Sequence, residues 1–277
     1  MNTNLFRNLK QAFRSNKLAL AGLLIISLLT LSSIFAFLDP IDPNQLSVNG
    51  RLLPPGLSHF FGTDDMGRDY FTRCLYGGRA SLLVGFLSMI LSTTIGVIVG
   101  AISGYFGGII DSVLMRLVDT LMSLPTFLVM LVMNAYLTPG IQNVIIIIGL
   151  LTWMNIARIV RAEAISMKER EFVVYSKISG QKSWNIIFQD IIPNIMPTII
   201  VSATLNIASA ILMESALSFF GMGVRPPTAS WGSMLNNSQG YIVNAPFLAI
   251  FPGTLILLTV LSFNYIGEVI RRIFEPK

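Results

Sequence analysis

The densest run of chemistry-bearing side chains is Gly62-Thr-Asp-Asp-Met-Gly-Arg-Asp69, with three carboxylates inside six residues. Clustered carboxylates suit a hard cation such as Ca²⁺ or Mg²⁺. The spacing is not that of an EF-hand, however, and Arg68 stands among the acids. A structural reading is preferred. Thr63 or Asp64 caps a short helix running to about Tyr76, and the acid in its first turn suits the helix dipole. Gly62, Asp64, Gly67, Arg68 and Asp69 then shape a loop, Tyr70, Phe71, Cys74 and Leu75 pack the helix, and Gly77-Gly78 breaks it. No metal site is expected. His59 is the sole histidine and Cys74 the sole cysteine, so a histidine-based catalytic site and an intrachain disulfide both lack material. No G-x-x-x-x-G-K-[ST] phosphate loop occurs, so this chain does not cradle ATP in the usual way.

The elements that would hold these residues are membrane helices. The chain has 277 residues, 53% hydrophobic and only 12% charged. Soluble domains carry about 25% charge. The net charge of +5 is not a nucleic-acid signature, because the basic residues sit where membrane topology puts them. Six apolar spans are expected, at about 18–38, 80–104, 112–136, 142–163, 194–213 and 247–269. Pro125 predicts a kink in the third, and Pro252 lies near the start of the sixth. The first span is too long for a signal core and ends in Phe-Leu-Asp-Pro, so it is expected to be retained. Ahead of it, residues 4–16 read as an amphipathic helix on the inner membrane surface, or else as a disordered basic tail.

Lys and Arg set the expected orientation. Arg7, Lys10, Arg14 and Lys17 precede the first span. The loop after the fourth span and its entry hold Arg158, Arg161, Lys168, Arg170, Lys177 and Lys182, and Arg271, Arg272 and Lys277 end the chain. Both termini are therefore expected in the cytoplasm, with the 39–79 and 214–246 loops outside. Residues 1–17 form a cytoplasmic segment and 18–277 one transmembrane domain. The chain is an all-α polytopic membrane protein.

Several polar groups within or near spans carry two readings each. Arg116 and Asp119 form a structural i, i+3 ion pair or part of a gate. Glu214 marks the watery end of the fifth span or serves a function there. Asn134, Asn155, Asn206 and Asn264 bond between helices or line a substrate path.

The segment 169–194 differs from its surroundings. It holds two short amphipathic pieces, Glu171–Ser179 and Trp184–Ile191, with Gly180 supplying a left-handed turn between them. Phe172, Val173 and Ile178 are expected to share part of one face of the first piece. Ser183 is the expected cap of the second, whose Trp184, Ile187, Phe188 and Ile191 make a helical stripe that Pro193 ends. Such a knob lies on lipid or enters a groove on a partner.

This segment resembles the cytoplasmic loop of ABC-importer permeases, which runs Glu-Ala-Ala, three residues, Gly, and then an Ile-x-Leu-Pro end. Gly180 and Ile191-Ile192-Pro193-Asn194 match, whereas Val174, Tyr175 and Ser176 occupy the Glu-Ala-Ala positions. Phe61-Gly-Thr-Asp-Asp-Met-Gly-Arg-Asp69, Gly104-Tyr-Phe-Gly-Gly108, Met115-Arg-Leu-Val-Asp119 with Pro125, Leu217-Ser-Phe-Phe-Gly-Met-Gly223 with Pro226-Pro227 and Trp231-Gly232, and Phe263-Asn264…Gly267…Arg271 resemble the dipeptide/oligopeptide/nickel branch, C-type subunit.

The resemblance implies a type I importer permease in the bacterial inner membrane, a transport subunit rather than an enzyme. Its implied cargo is peptides, nickel or metal–chelator complexes. Its implied partners are a B-type permease, two ATPases that hold ATP and Mg²⁺, an extracytoplasmic binding protein and membrane lipid, with no nucleic acid and no cofactor on this chain. Glu171, Phe172, Tyr175, Ser176, Gly180, Trp184, Ile187, Phe188 and Pro193 would couple to the ATPase. Arg116, Asp119, Asn134, Asn206 and Glu214 are candidates for gate or pore. The rival reading is a secondary transporter or channel without ATP coupling, although Asp111, Asp119 and Glu214 fall near span ends rather than at mid-membrane.

Overall fold

The computed structural model describes residues 12–13, 16–138 and 140–274. The surface helix expected over 4–16 lies almost wholly outside them. Among the described residues ten helices build the framework: α1 (Lys17–Ile34), α2 (Tyr70–Phe106), α3 (Gly108–Met122), α4 (Thr126–Tyr136), α5 (Ile141–Lys168), α6 (Glu171–Ile178), α7 (residues 183–194), α8 (Met196–Phe219), α9 (Trp231–Ser238) and α10 (Phe247–Phe274). Five of them, α1, α2, α5, α8 and α10, are long and apolar enough to cross a membrane. The bent pair α3–α4 makes a sixth crossing if taken as one.

The expected kink in the third span is an 81° break. Pro125 has no N–H to continue the helix, and its ring keeps the residue before it out of the helical region. The chain therefore leaves α3 at Ser123 and restarts α4 with Pro125 as its N-cap, in an extended conformation at φ −63°, ψ 97°.

The second span departs most from expectation. Asp69 is the cap, accepting the Thr72 amide at 2.9 Å, and α2 then runs 37 residues straight through Gly77-Gly78. These glycines do not break the helix; they admit neighbours. A Cβ on Gly78 would lie 2.2 Å from Ser33 Oγ and 3.0 Å from the Trp231 ring, and one on Gly77 3.3 Å from Trp231.

They begin a buried stripe of small residues spaced three or four apart, Gly77, Ser81, Gly85, Ser88, Ser92, Gly96, Gly100 and Gly104. Small residues at this spacing let backbones approach closely, which is how helices associate where lipid removes the hydrophobic drive. On the second half of α2 the stripe meets α5. A Cβ on Gly96 would stand 2.7 Å from Ile156 Cβ, one on Gly100 2.5 Å from Ala157 O, and one on Gly104 2.7 Å from Ala164 Cβ. Serines in the stripe add cross-helix hydrogen bonds, Ser88 Oγ to Ile145 O at 3.1 Å and Ser92 Oγ to Asn206 Oδ1 at 3.0 Å.

Pro252 lies inside α10 and is buried. Its missing N–H leaves the carbonyl of Leu248, four residues back, without its helical donor. Tyr70 Oη donates to that carbonyl at 2.5 Å, so the first residue of α2 supplies what the proline removes. Phe61 stacks on Phe251 beside it, centroids 3.9 Å apart.

Gly100→Ala is expected to destabilise the protein by about 1–3 kcal/mol, because the new methyl meets backbone that cannot step aside. Thermal unfolding in detergent checks this. Gly253→Ala, whose added Cβ meets only Leu235 Cδ2 at 4.0 Å, is expected to leave the midpoint unchanged or raise it slightly.

Candidate functional site

Three constellations hold the residues that the sequence singles out. The first is the knob. α6 ends in a Schellman turn, with Gln181 N–H donating to Ser176 O at 3.1 Å and Gly180 N–H to Lys177 O at 3.2 Å. Gly180 sits at φ +76°, and no atom lies within 4 Å of where its Cβ would be. The second piece differs from the expected regular helix. Lys182 rather than Ser183 is its N-cap, and residues Ile186–Ile191 form a π-turn in which Ile192 N–H reaches Ile187 O. A π-turn closes its hydrogen bond over one more residue than an α-turn and so widens the helix locally. Pro193 lacks an N–H, and in a regular α-helix its ring would strike the carbonyl four residues back. The wide turn precedes it, so the helix passes through Pro193 to Asn194 instead of stopping there.

The extra residue also splits the expected stripe. Ile186, Ile187 and Ile191 turn inward and are buried with Val173 of α6 against Ala101 and Tyr105 of α2 and Val160 and Ala164 of α5. Trp184 and Phe188 turn outward and stack, centroids 6.3 Å apart, with Phe106 edge-on to Trp184 at 6.1 Å. On α6 only Val173 is buried. Phe172 and Val174 are exposed, as are Tyr175 at 73% and Ile178 at 80%. Phe172, Val173 and Ile178 therefore do not share a face. Glu171 is exposed and Ser176 half-buried.

The second constellation ties α3 to α5. Arg161 forks onto Asp111 with two hydrogen bonds at 2.5 Å, and Ser103 Oγ also donates to Asp111. Arg158 pairs with Asp119. The expected Arg116–Asp119 pair along one helix face is not formed, because the guanidinium from α5 takes that carboxylate. Arg116 is exposed on α3 and does not join it.

The third surrounds Glu214, which is 0% exposed and lies inside the chain. Ser218 Oγ donates to it at 2.7 Å and Ser81 Oγ at 3.0 Å. Each serine in turn accepts a main-chain amide, Ser218 from Val224 in the loop after α8 at 3.2 Å and Ser81 from Trp231 at the start of α9 at 3.2 Å. Trp231 Nε1 donates to Cys74 O at 2.9 Å. One carboxylate thereby joins α2, α8 and the start of α9. Sequence spacing does not single out Ser81, Ser218 or Trp231 as site residues. The available signal is two serines four residues from the landmarks Gly77 and Glu214, and it becomes visible only once the helices are paired.

Asn206 accepts from Ser92. Asn134 is 5% exposed near the end of α4, and no donor of the described residues reaches its Oδ1. Asn155 and Asn264 are not buried. In the 39–69 loop, Asp64 takes Arg68 Nε at 2.6 Å, the Arg68 amide at 3.0 Å and Arg73 Nε at 3.5 Å, while Asp69 takes His59 Nδ1 at 2.8 Å as well as capping α2. Gly67 at φ +76° is required there, since a Cβ would sit 1.9 Å from Ser47 O.

A test of the buried carboxylate is direct. Glu214→Ala strands two hydroxyls in a buried site and is expected to cost about 1–3 kcal/mol. Glu214→Gln keeps one carbonyl oxygen and should cost less, and both are read by thermal unfolding.

Compared with known proteins, residues 96–277 match the family model described as binding-protein-dependent transport system inner membrane component. Residues 4–55 match the N-terminal TM domain of oligopeptide transport permease C. The dipeptide transport system permease protein DppC of Alkalihalophilus pseudofirmus is 40% identical, over 98% of this chain and 90% of its own. DppC of Bacillus subtilis is 40% identical over 95% and 83%. The Bacillus subtilis oligopeptide transport system permease protein OppC is 38% identical over 99% and 90%. In fold, the chain is similar to an inward-facing structure of the MetNI methionine ABC transporter, with a TM-score of 0.60 at 18% identity over 72% of this chain and 95% of that one.

Proposed function

This chain belongs to the binding-protein-dependent transport system inner membrane component family, a multi-pass permease subunit and not an enzyme, and we propose that it imports peptides as one half of a two-permease pore driven by separate ATPases. Its relatives are named for dipeptide and oligopeptide transport, which supports peptides as cargo. The termini and the knob face the cytoplasm on this reading, as the Lys and Arg placement favours. An extracytoplasmic binding protein delivers peptide to the opposite side.

The observation that carries the coupling role is the two-sided knob. Its inner face is buried on α2 and α5, two helices packed too closely to slide independently. Its outer face presents Phe172, Val174, Tyr175, Ile178, Trp184 and Phe188. An apolar helical surface of this kind fits a groove on a partner. Movement of an ATPase holding that surface passes to α2 and α5 without a flexible link. From α5 it reaches α3 through Arg161–Asp111 and Arg158–Asp119. ATP then acts as the ligand that shifts the population between inward- and outward-open states. Because Val174, Tyr175 and Ser176 replace Glu-Ala-Ala, docking rests on shape and apolar contact more than on a glutamate ion pair.

The test is Gly180. Gly180→Glu is expected to abolish peptide uptake while the protein still inserts and the complex still hydrolyses ATP. Part of any effect would come from the left-handed backbone, which costs a non-glycine residue about 1–2 kcal/mol. Gly180→Asn, which tolerates that conformation better, separates the two causes and should keep most uptake. Normal coupled uptake by Gly180→Glu would refute the role. An ATPase subunit should also co-purify with the wild type, and Ile178→Asp should reduce its yield.

A further inference from the structure

One polar feature has no part in that coupling route. The end of α4 and the loop after α8 enclose a cavity of about 290 Å³, lined by Asn134, Ala135, Leu137, Met222, Gly223 and Arg225. Its walls are about equally polar and apolar, unlike the greasy clefts between the long helices. Asn134 is only 5% exposed, yet its Oδ1 has no donor among the described residues. A buried amide without a partner is costly and calls for an explanation. Arg225 is the only cation of the 214–246 loop, is exposed, and has no carboxylate of the described residues within ion-pairing distance.

An unpaired guanidinium suits a carboxylate, which it can grip with two parallel hydrogen bonds. The Asn134 carbonyl oxygen is an acceptor without a donor among the described residues, and so complements a main-chain N–H. One ligand class carries both groups a single residue apart, the C-terminal end of an unblocked peptide. Leu137 and Met222 supply an apolar wall, and the flexible thioether of Met222 adapts to side chains of different size. The volume lies just below the usual range for small-molecule sites, enough for the last residue or two of a peptide but not for a folded partner.

We propose that this cavity is a transit subsite for the C-terminus of the transported peptide, with Arg225 holding the carboxylate and Asn134 the adjacent amide. The proposal rests on the peptide-import reading and adds a residue-level contact to it. Weak binding is what such a site requires, because a transported species must leave as readily as it enters.

The test uses the assembled transporter in nanodiscs, without its binding protein, so that selectivity upstream does not mask the contact. Alanyl-phenylalanine and its C-terminal amide are titrated by saturation-transfer NMR. The wild type is expected to bind the free acid about tenfold more tightly than the amide, a difference of about 1.4 kcal/mol. Arg225→Gln is expected to erase that preference, Arg225→Lys to keep most of it, and Asn134→Leu to weaken acid and amide alike. Arg225 is exposed, so its variants keep the test valid even if Asn134→Leu fails to fold. Equal binding of acid and amide by the wild type, undiminished preference in Arg225→Gln, or no peptide binding at all would overturn the subsite. Separation of the two permeases by Arg225→Gln would do the same, assigning the cavity to their interface. Uptake of the same peptide into proteoliposomes with the binding protein present is measured in parallel. Uptake that continues without the subsite leaves peptide import standing, whereas no peptide uptake removes the premise itself.

Discussion

The close contact between α2 and α5 is the constraint on which the other features depend. Gly96, Gly100 and Gly104 let the two backbones approach to distances that any side chain would prevent. This brings Ala101, Tyr105, Val160 and Ala164 together as the floor on which the isoleucines of α7 rest. It also fixes where Arg158 and Arg161 project, and so where α3 must lie to place Asp111 and Asp119 against them. Toward the start of α2, the same small-residue stripe supplies Ser81 to Glu214 and the cleft that receives Trp231.

Prolines recur at the places where regular helix geometry fails, and each failure is handled differently. At Pro125 the chain breaks and turns through 81°. At Pro193 the helix widens into a π-turn and continues. At Pro252 the helix continues unbroken, and a tyrosine from another helix takes up the orphaned carbonyl. The residue type predicts that something must give. What gives is decided by neighbours that sequence spacing does not reveal.

The same division explains how much of the molecule is legible in its sequence. Hydropathy runs locate the membrane helices, because burial in lipid demands long apolar stretches wherever they occur. Gly180 is legible as a left-handed turn, since few other residues adopt that backbone. The extent of α2 is not. Gly77-Gly78 reads as a break when helix propensity alone is weighed, and only the bulk of Trp231 and Ser33 beside it explains why small residues are needed. Counted at α-helical period, Trp184, Ile187, Phe188 and Ile191 fall on one face, whereas the π-turn divides them between two. Asp119 has a basic neighbour one turn away along its own helix. Its true partner lies 39 residues away, on a helix that folding brings alongside.

The splitting of that stripe has an evolutionary consequence. The residues that seat the knob on α2 and α5, Val173, Ile186, Ile187 and Ile191, are not the ones it displays, Tyr175, Ile178, Trp184 and Phe188. If the displayed set is the docking face proposed above, mutations there change recognition without disturbing the seat, and mutations in the seat disturb stability without rewriting recognition. The two sets can therefore drift at different rates. On the coupling role proposed above, such a permease is re-matched to a diverging ATPase by altering a few surface side chains, while the helices behind the knob stay as they are.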